Sequence, residues 1–146
     1  MTSVLALASA AAFAASFPCH VSSTTARPVA GRPSFNYGNA RIAVDLPPKA
    51  TFVAVPDDEP GRAFVQGDGW IRTKIGWWRA SGPLRVSGKR LDAAAPPMRA
   101  DVGPVSSAPG GPFVPSLLYF PTVGCWRLTA TAGGAHLAAI VRVVKK

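Results

Sequence analysis

Proline and glycine interrupt this chain so often that no long helix fits between them. The 146 residues include 15 prolines and 14 glycines, and turn-forming groups such as Glu59-Pro60-Gly61 and Gly133-Gly134 recur along the sequence. Proline breaks the hydrogen-bond ladder of a helix and glycine weakens it, so the intervals suit short strands joined by turns. Beyond the N-terminal segment no window has helical periodicity. The pattern predicts an all-β fold.

Seven short runs of alternating or continuously apolar residues lie between these turns, and each has the length of a strand. They are residues 41–45, 51–55, 70–75, 84–87, 116–120, 125–131 and 136–144. The last two flank Gly133-Gly134, which predicts a β-hairpin. Several short strands at fairly even spacing are typical of a β-sandwich of about seven strands.

The N-terminal segment resembles an export signal. Residues 4–15 form an unbroken run of small and apolar residues, too short to cross a bilayer, and small residues follow at a possible cleavage site. We therefore expect a signal peptide helix at 1–16, an extended arm at 17–40 and one β domain at 41–146. The first 26 residues contain no Lys or Arg, so a buried alanine-rich helix stays open as the alternative.

A motif near the C-terminus resembles a known group. The run F-P-x-x-G-C-W-x-L-T at 120–129, preceded by P-S-x-L-Y at 115–119, W-W-R at 77–79 and R-L-D-A-x-A-P-P at 90–97, is similar to small exported bacterial proteins with an immunoglobulin-like sandwich. The resemblance covers about residues 41–146. It implies an antiparallel immunoglobulin-like β-sandwich, and no activity is attached to its motifs.

Cys19 and Cys125 are the only cysteines. In an exported chain a single pair is most simply a disulfide, which here closes a loop of about 100 residues. Trp126 and Leu128 share the apolar face of their strand, so Cys125 falls on the outward face and the bond would hold the arm outside. Two unrelated thiols remain the alternative. Metal binding by Cys19 with His20 is disfavoured because adjacent residues chelate poorly.

The segment 70–79 predicts a strand with one basic, aromatic face. The odd positions 71, 73, 75 and 77 form the core side, and the other side carries Trp70, Arg72, Lys74 and Trp78. Aromatic rings beside cations stack on sugars or bases and pair with anions, so these four residues form the candidate binding face. A solvated face with no ligand is the competing interpretation.

Catalytic and metal-binding motifs are absent from the sequence. His20 and His136 are the only histidines, no nucleophile motif surrounds either of them, and the acidic turn at 57–59 lacks the spaced oxygens of a calcium loop. We expect no catalytic residues, no cofactor and no metal. The stretch from Ala93 to Pro115 is expected to be a long binding loop or a mobile connection.

The formal net charge of +9 favours anionic partners. The leading hypothesis is a non-catalytic exported module of the cell envelope that binds an anionic envelope polymer or another envelope protein. A small extracytoplasmic hydrolase or thiol-redox protein is the second hypothesis. A basic surface that binds anionic polymers or nucleic acid is the third, although export argues against a nucleic-acid partner.

Overall fold

The computed structural model describes residues 17–25, 29, 35–106 and 113–146. The expected signal peptide at 1–16 lies outside these residues. Within them the chain forms β-strands, connections and one 3-10 turn at Pro48–Ala50, and no α-helix is present. None of the described segments is a helix with the length and apolar character needed to cross a membrane.

Ten strands make up the described fold, and all belong to one mixed sheet. They are β1 (Tyr37–Gly38), β2 (Ile42–Val44), β3 (Thr51–Val55), β4 (Ala63–Val65), β5 (Ile71–Arg79), β6 (Arg85–Arg90), β7 (Arg99–Val102), β8 (Val114–Phe120), β9 (Gly124–Ala132) and β10 (Ala135–Lys145).

The sheet closes on itself. One path of paired strands runs β1-β2-β5-β4-β3-β10-β9-β6, while β8 pairs with the other side of β5 and carries β7. An isolated bridge between Gly88 of β6 and Met98, just before β7, joins the two ends of this network. The closed sheet encloses a single main core and leaves an outer face all round it.

The sheet is antiparallel, as expected, except at one strand. β3 pairs in parallel with both β10 and β4, whereas the other pairings are antiparallel. Alternation in the sequence marks a strand but carries no information about its direction. The predicted β9–β10 hairpin is present and turns at the two glycines.

Three strands were missing from the sequence prediction: β1, β4 and β7, which have 2, 3 and 4 residues. The expectation that residues 93–115 form one long loop is therefore wrong, because β7 lies inside this stretch and β8 begins before its end. Residues 107–112 of the stretch lie outside the described part. Strands this short are stabilised by their neighbours and carry too few residues for a periodic pattern.

Inward-facing side chains of both halves of the sheet fill the core. Trp77 and Trp126 are its largest buried side chains, with 1% and 0% exposure. The Trp77 indole N–H donates to the buried Ser116 hydroxyl at 2.9 Å, and the Phe120 ring meets Trp126 edge-on at 5.4 Å. Because Phe120 is in β8 and Trp126 in β9, this contact joins the two halves.

The predicted disulfide between Cys19 and Cys125 is present. Cys125 is on the outward face of β9, as the alternation around Trp126 indicates, yet it is only 1% exposed and does not belong to the main core. Its burial is due to the arm, since Ser22 exchanges two hydrogen bonds with Ile140 of β10, each 2.8 Å long. The bond holds the arm against the outside of the sheet.

Candidate functional site: an aromatic and arginine-rich face

Four side chains form a row across the outside of strands β4, β5, β8 and β7. Phe64 is opposite Arg72, Arg72 is opposite Tyr119, and Tyr119 is opposite Arg99. Directly opposed residues in a sheet bring their side chains into contact. Trp70 precedes Arg72 by two residues and therefore points to the same side. We call these five residues, Phe64, Trp70, Arg72, Arg99 and Tyr119, the aromatic–arginine face.

Trp70 is fixed by the turn before β5. The Asp68 carboxylate accepts a hydrogen bond from the Trp70 backbone N–H at 2.9 Å, and the Trp70 carbonyl accepts one from the Gln66 N–H at 2.8 Å. Gly69 completes the turn with a φ of +85°, in the left-handed region that favours glycine. The turn thus places the indole at the margin of the sheet.

Arg99 lies between two rings of this face. Its guanidinium carbon is 4.3 Å from the centroid of Trp70 and 5.7 Å from that of Tyr119, both within the range of a cation–π interaction. The residue is exposed. Among the described residues no carboxylate pairs with Arg99; the ion pairs there belong to Arg62, Arg72 and Arg90. Stacking uses the flat faces of a guanidinium and leaves its in-plane N–H donors for a ligand.

Arg72, unlike Arg99, has a carboxylate partner within the described part of the protein. It stacks over Phe64 at 4.5 Å and donates a hydrogen bond to the Asp58 carboxylate at 3.2 Å. The side chains are 31% and 64% exposed, so water screens this pair. The acidic turn that contains Asp58 acts here as an arginine partner on the margin of the aromatic–arginine face.

The structure separates the four residues of the predicted binding face. Trp70 and Arg72 belong to the aromatic–arginine face, and the exposed Lys74 extends it along β5. Trp78 is on the predicted side of the strand but is only 9% exposed, because it packs with Phe35 and Ala43 in a second small core. The expectation that Trp78 is accessible to a ligand is wrong, since sequence alternation gives the side of a strand and not what covers it.

Sequence reasoning missed Phe64 and Tyr119 as members of the site, and it identified Arg99 only as a further positive charge without assigning it to this face. Tyr119 lies in a predicted strand, where alternation with Leu118 already places it outward. Phe64 and Arg99 lie in β4 and β7, two of the unpredicted strands. Their approach to Arg72 and Trp70 depends on strand pairing, which no local pattern in the sequence reports.

A polar cleft of about 770 Å³ opens beside β5, at the gap between β4 and β2. Its walls include Asp45, Thr73, Lys74, Pro47 and Arg62. Burial raises the pKa of the Asp45 carboxyl above its ordinary value. Lys74 lines this cleft and also extends the aromatic–arginine face along β5, so the cleft and the face are adjacent.

No metal site emerges from the described residues. No three His, Cys, Asp or Glu side chains in this part of the chain are grouped to hold an ion. His20 and His136 are both exposed. In the acidic turn, Asp58 pairs with Arg72 and Glu59 with Arg62.

Comparison with known proteins found no matching protein-family model and no match among curated proteins.

Proposed function

We propose that the chain is a non-catalytic exported module that binds a carboxylate- or phosphate-bearing polymer of the cell envelope through the aromatic–arginine face. The observation that carries this proposal is the position of Arg99, which is held by Trp70 and Tyr119 without a carboxylate partner among the described residues. Carboxylates and phosphates match the paired N–H donors of a guanidinium. The flanking rings supply apolar surface for the sugar or backbone of the same polymer.

The strand arrangement supports the immunoglobulin-like sandwich as part of this proposal. Strands β2, β5, β8 and β7 pair in that order, and so do β3, β10, β9 and β6. The order β2-β5-β8-β7 resembles the four-strand ABED group of immunoglobulin domains, and β6-β9-β10 resembles the three-strand CFG group, with β3 added beside β10. In such domains binding uses either a sheet face or the loops, and the aromatic–arginine face is a sheet face.

The disulfide supports export, because such bonds persist in oxidising compartments and are rare in the cytosol. The disulfide also argues against the thiol-redox alternative, because neither cysteine of the chain is a free thiol.

Binding of the full chain to polygalacturonate, a polysaccharide with one carboxylate per sugar, tests the proposal. We expect saturable binding by titration calorimetry that weakens as salt rises, because salt screens exposed charges. In the variant Arg99→Met the side chain keeps its packing between the rings and loses its charge and donors. We expect the dissociation constant to rise about 5- to 10-fold, the size of one exposed charge-assisted contact.

The matched control is Arg41→Met, which removes the same charge at the far end of the sheet, where the next residue, Ile42, is opposite Arg79, seven residues along β5 from Arg72. It should change the dissociation constant less than about 2-fold, as expected for a distant screened charge. Equal weakening by the two variants, or no weakening by Arg99→Met, would show that the aromatic–arginine face does not recognise the polymer.

A further inference from the structure

The outside of strands β6, β9 and β10 carries a second concentration of charge. Among the residues of these three strands there are six Lys or Arg and no Asp or Glu. Four of the cations, Arg85, Lys89, Arg127 and Arg142, are on outward positions and are exposed. We call these four residues the basic face.

Within the basic face, like charges are neighbours. Lys89 is directly opposite Arg127. On the other side of β9, Ile140 of β10 pairs with Arg127, and Arg142, two residues further along β10, pairs with Cys125. Arg142 is therefore diagonal to Arg127. Like charges directly opposed in a sheet destabilise it. None of these four cations forms an ion pair with a described carboxylate, whereas Arg90, on the inward side of β6, pairs with Asp92. The fold retains an unfavourable arrangement that an external anion would relieve.

The shape of the basic face favours an extended flat partner. The side chains between the cations are short, such as Ser87 and Thr129, which are opposite each other. Around Ser87 and Thr129 they build no walls that would enclose a small anion. No Trp, Tyr or Phe is on the outward positions of these strands, so the face lacks the stacking rings of the aromatic–arginine face.

Apolar residues at one end of the basic face select a membrane as that partner. The disulfide fixes Cys19 to Cys125 beside Arg142, whose guanidinium donates to the Cys19 carbonyl at 3.2 Å. Phe17 and Val123, each two residues from a bonded cysteine, are 51% and 37% exposed. Apolar side chains beside exposed cations are typical of surfaces that lie on a bilayer.

We propose that the basic face binds the surface of an anionic lipid bilayer. The headgroup phosphates neutralise Lys89 and Arg127, and the end of the face at Phe17 contacts the boundary between headgroups and acyl chains. The proposal does not depend on the polymer-binding function, because the two faces are on opposite layers of the sheet and share no residue.

Binding of the full chain to lipid vesicles tests this inference. We compare vesicles of 30% phosphatidylglycerol in phosphatidylcholine, a composition chosen on the order of that in anionic membranes, with vesicles of pure phosphatidylcholine. The double variant Lys89→Gln/Arg127→Gln should bind the anionic vesicles about tenfold more weakly or worse, since each cation near the surface contributes separately. Its binding to the neutral vesicles, which reports contacts that need no anionic headgroup, should not change.

The charge-matched control is Arg72→Gln/Arg99→Gln, which should retain anionic-vesicle binding within about 2-fold. It should lose polygalacturonate binding if the polymer proposal is correct, so the two proposals can fail separately. The Lys89→Gln/Arg127→Gln variant should melt at or above the temperature of the parent, because a like-charge pair is removed. This melting measurement separates a binding defect from a folding defect.

Two outcomes would overturn the inference. If both double variants weaken vesicle binding equally, net charge explains it and the basic face is not a site. If Lys89→Gln/Arg127→Gln weakens binding to soluble polyphosphate and leaves vesicle binding unchanged, the face takes a soluble polyanion and not a membrane.

Discussion

Asp92 stabilises the end of the closed sheet through one carboxylate oxygen. That oxygen accepts a hydrogen bond from the Arg90 side chain at 2.7 Å and another from the Cys125 backbone N–H at 3.1 Å. The Arg90 hydrogen bond, and after it the bond from Cys125, lowers the pKa of Asp92 below its ordinary value. Gly124 makes the arrangement possible, because a Cβ there would lie 2.4 Å from Arg90 Nε. One carboxylate thus joins the end of β6 to the start of β9.

The variant Asp92→Asn should lose about 1 kcal/mol of unfolding free energy at neutral pH, a modest value for a charge-assisted network that is partly exposed. The ionised carboxylate stabilises the fold above its unfolded pKa of about 3.9, and this contribution disappears as the pH falls through the lower folded pKa. Urea unfolding at several pH values should therefore show that the difference in unfolding free energy between parent and variant shrinks below about pH 4.

In the parent protein, Asp45 affects the pH dependence of the unfolding free energy in the opposite direction. Burial raises the pKa of Asp45 and makes its ionisation unfavourable in the folded state. Since Asp45 is present in both proteins, its effect cancels in the difference. A difference between parent and Asp92→Asn that is constant from pH 7 to pH 3 would contradict the role assigned to the ionised carboxylate.

At the scale of elements, the contact between β6 and the segment leading into β7 closes the sheet. Met98 donates its backbone N–H to the Gly88 carbonyl at 3.1 Å, and Met98 is 5% exposed. A Cβ built on Gly88 would be 2.9 Å from the Met98 Cβ and 3.0 Å from its sulfur. The closure therefore requires glycine for close approach and not for an unusual backbone angle.

Gly88→Ala should lower the unfolding free energy by about 1 to 3 kcal/mol, the usual cost of overpacking a buried contact. The control is Gly67→Ala, where a Cβ meets nothing within 4 Å, and which should leave stability within about 0.5 kcal/mol. Thermal or urea unfolding of both variants measures the comparison. Equal effects of the two substitutions would show that β6 and the segment before β7 are not closely packed.

Elements differ in how far the sequence predicts them. The run at 51–55 matches β3, and alternation correctly divides β5 into a buried side and an outward side, because each pattern is complete within one strand. The parallel direction of β3, the short strands β4 and β7, and the cover over Trp78 all depend on residues far away in sequence. The same limit applies to the candidate site, where Trp70 and Arg72 were identified and Arg99 was not.

For the whole molecule, the disulfide joins the arm to the C-terminal hairpin across 106 positions of sequence. We expect Cys19→Ser/Cys125→Ser to lower the unfolding free energy by up to about 4.7 kcal/mol, the chain-entropy value for a loop of this order. Urea unfolding measures it. The parent in reductant should approach the variant, and the variant should not respond to reductant. A loss under about 1 kcal/mol would contradict this constraint on the unfolded chain.

The position of the disulfide also determines what a single backbone cut would do. Strands β1 to β8 all lie between Cys19 and Cys125, so any one peptide bond hydrolysed in that interval leaves both fragments in one covalent molecule. The exposed turn around Gly61 and Arg62 is such a place. A nicked copy would keep its mass, apart from one added water, and its two fragments would separate only on reduction.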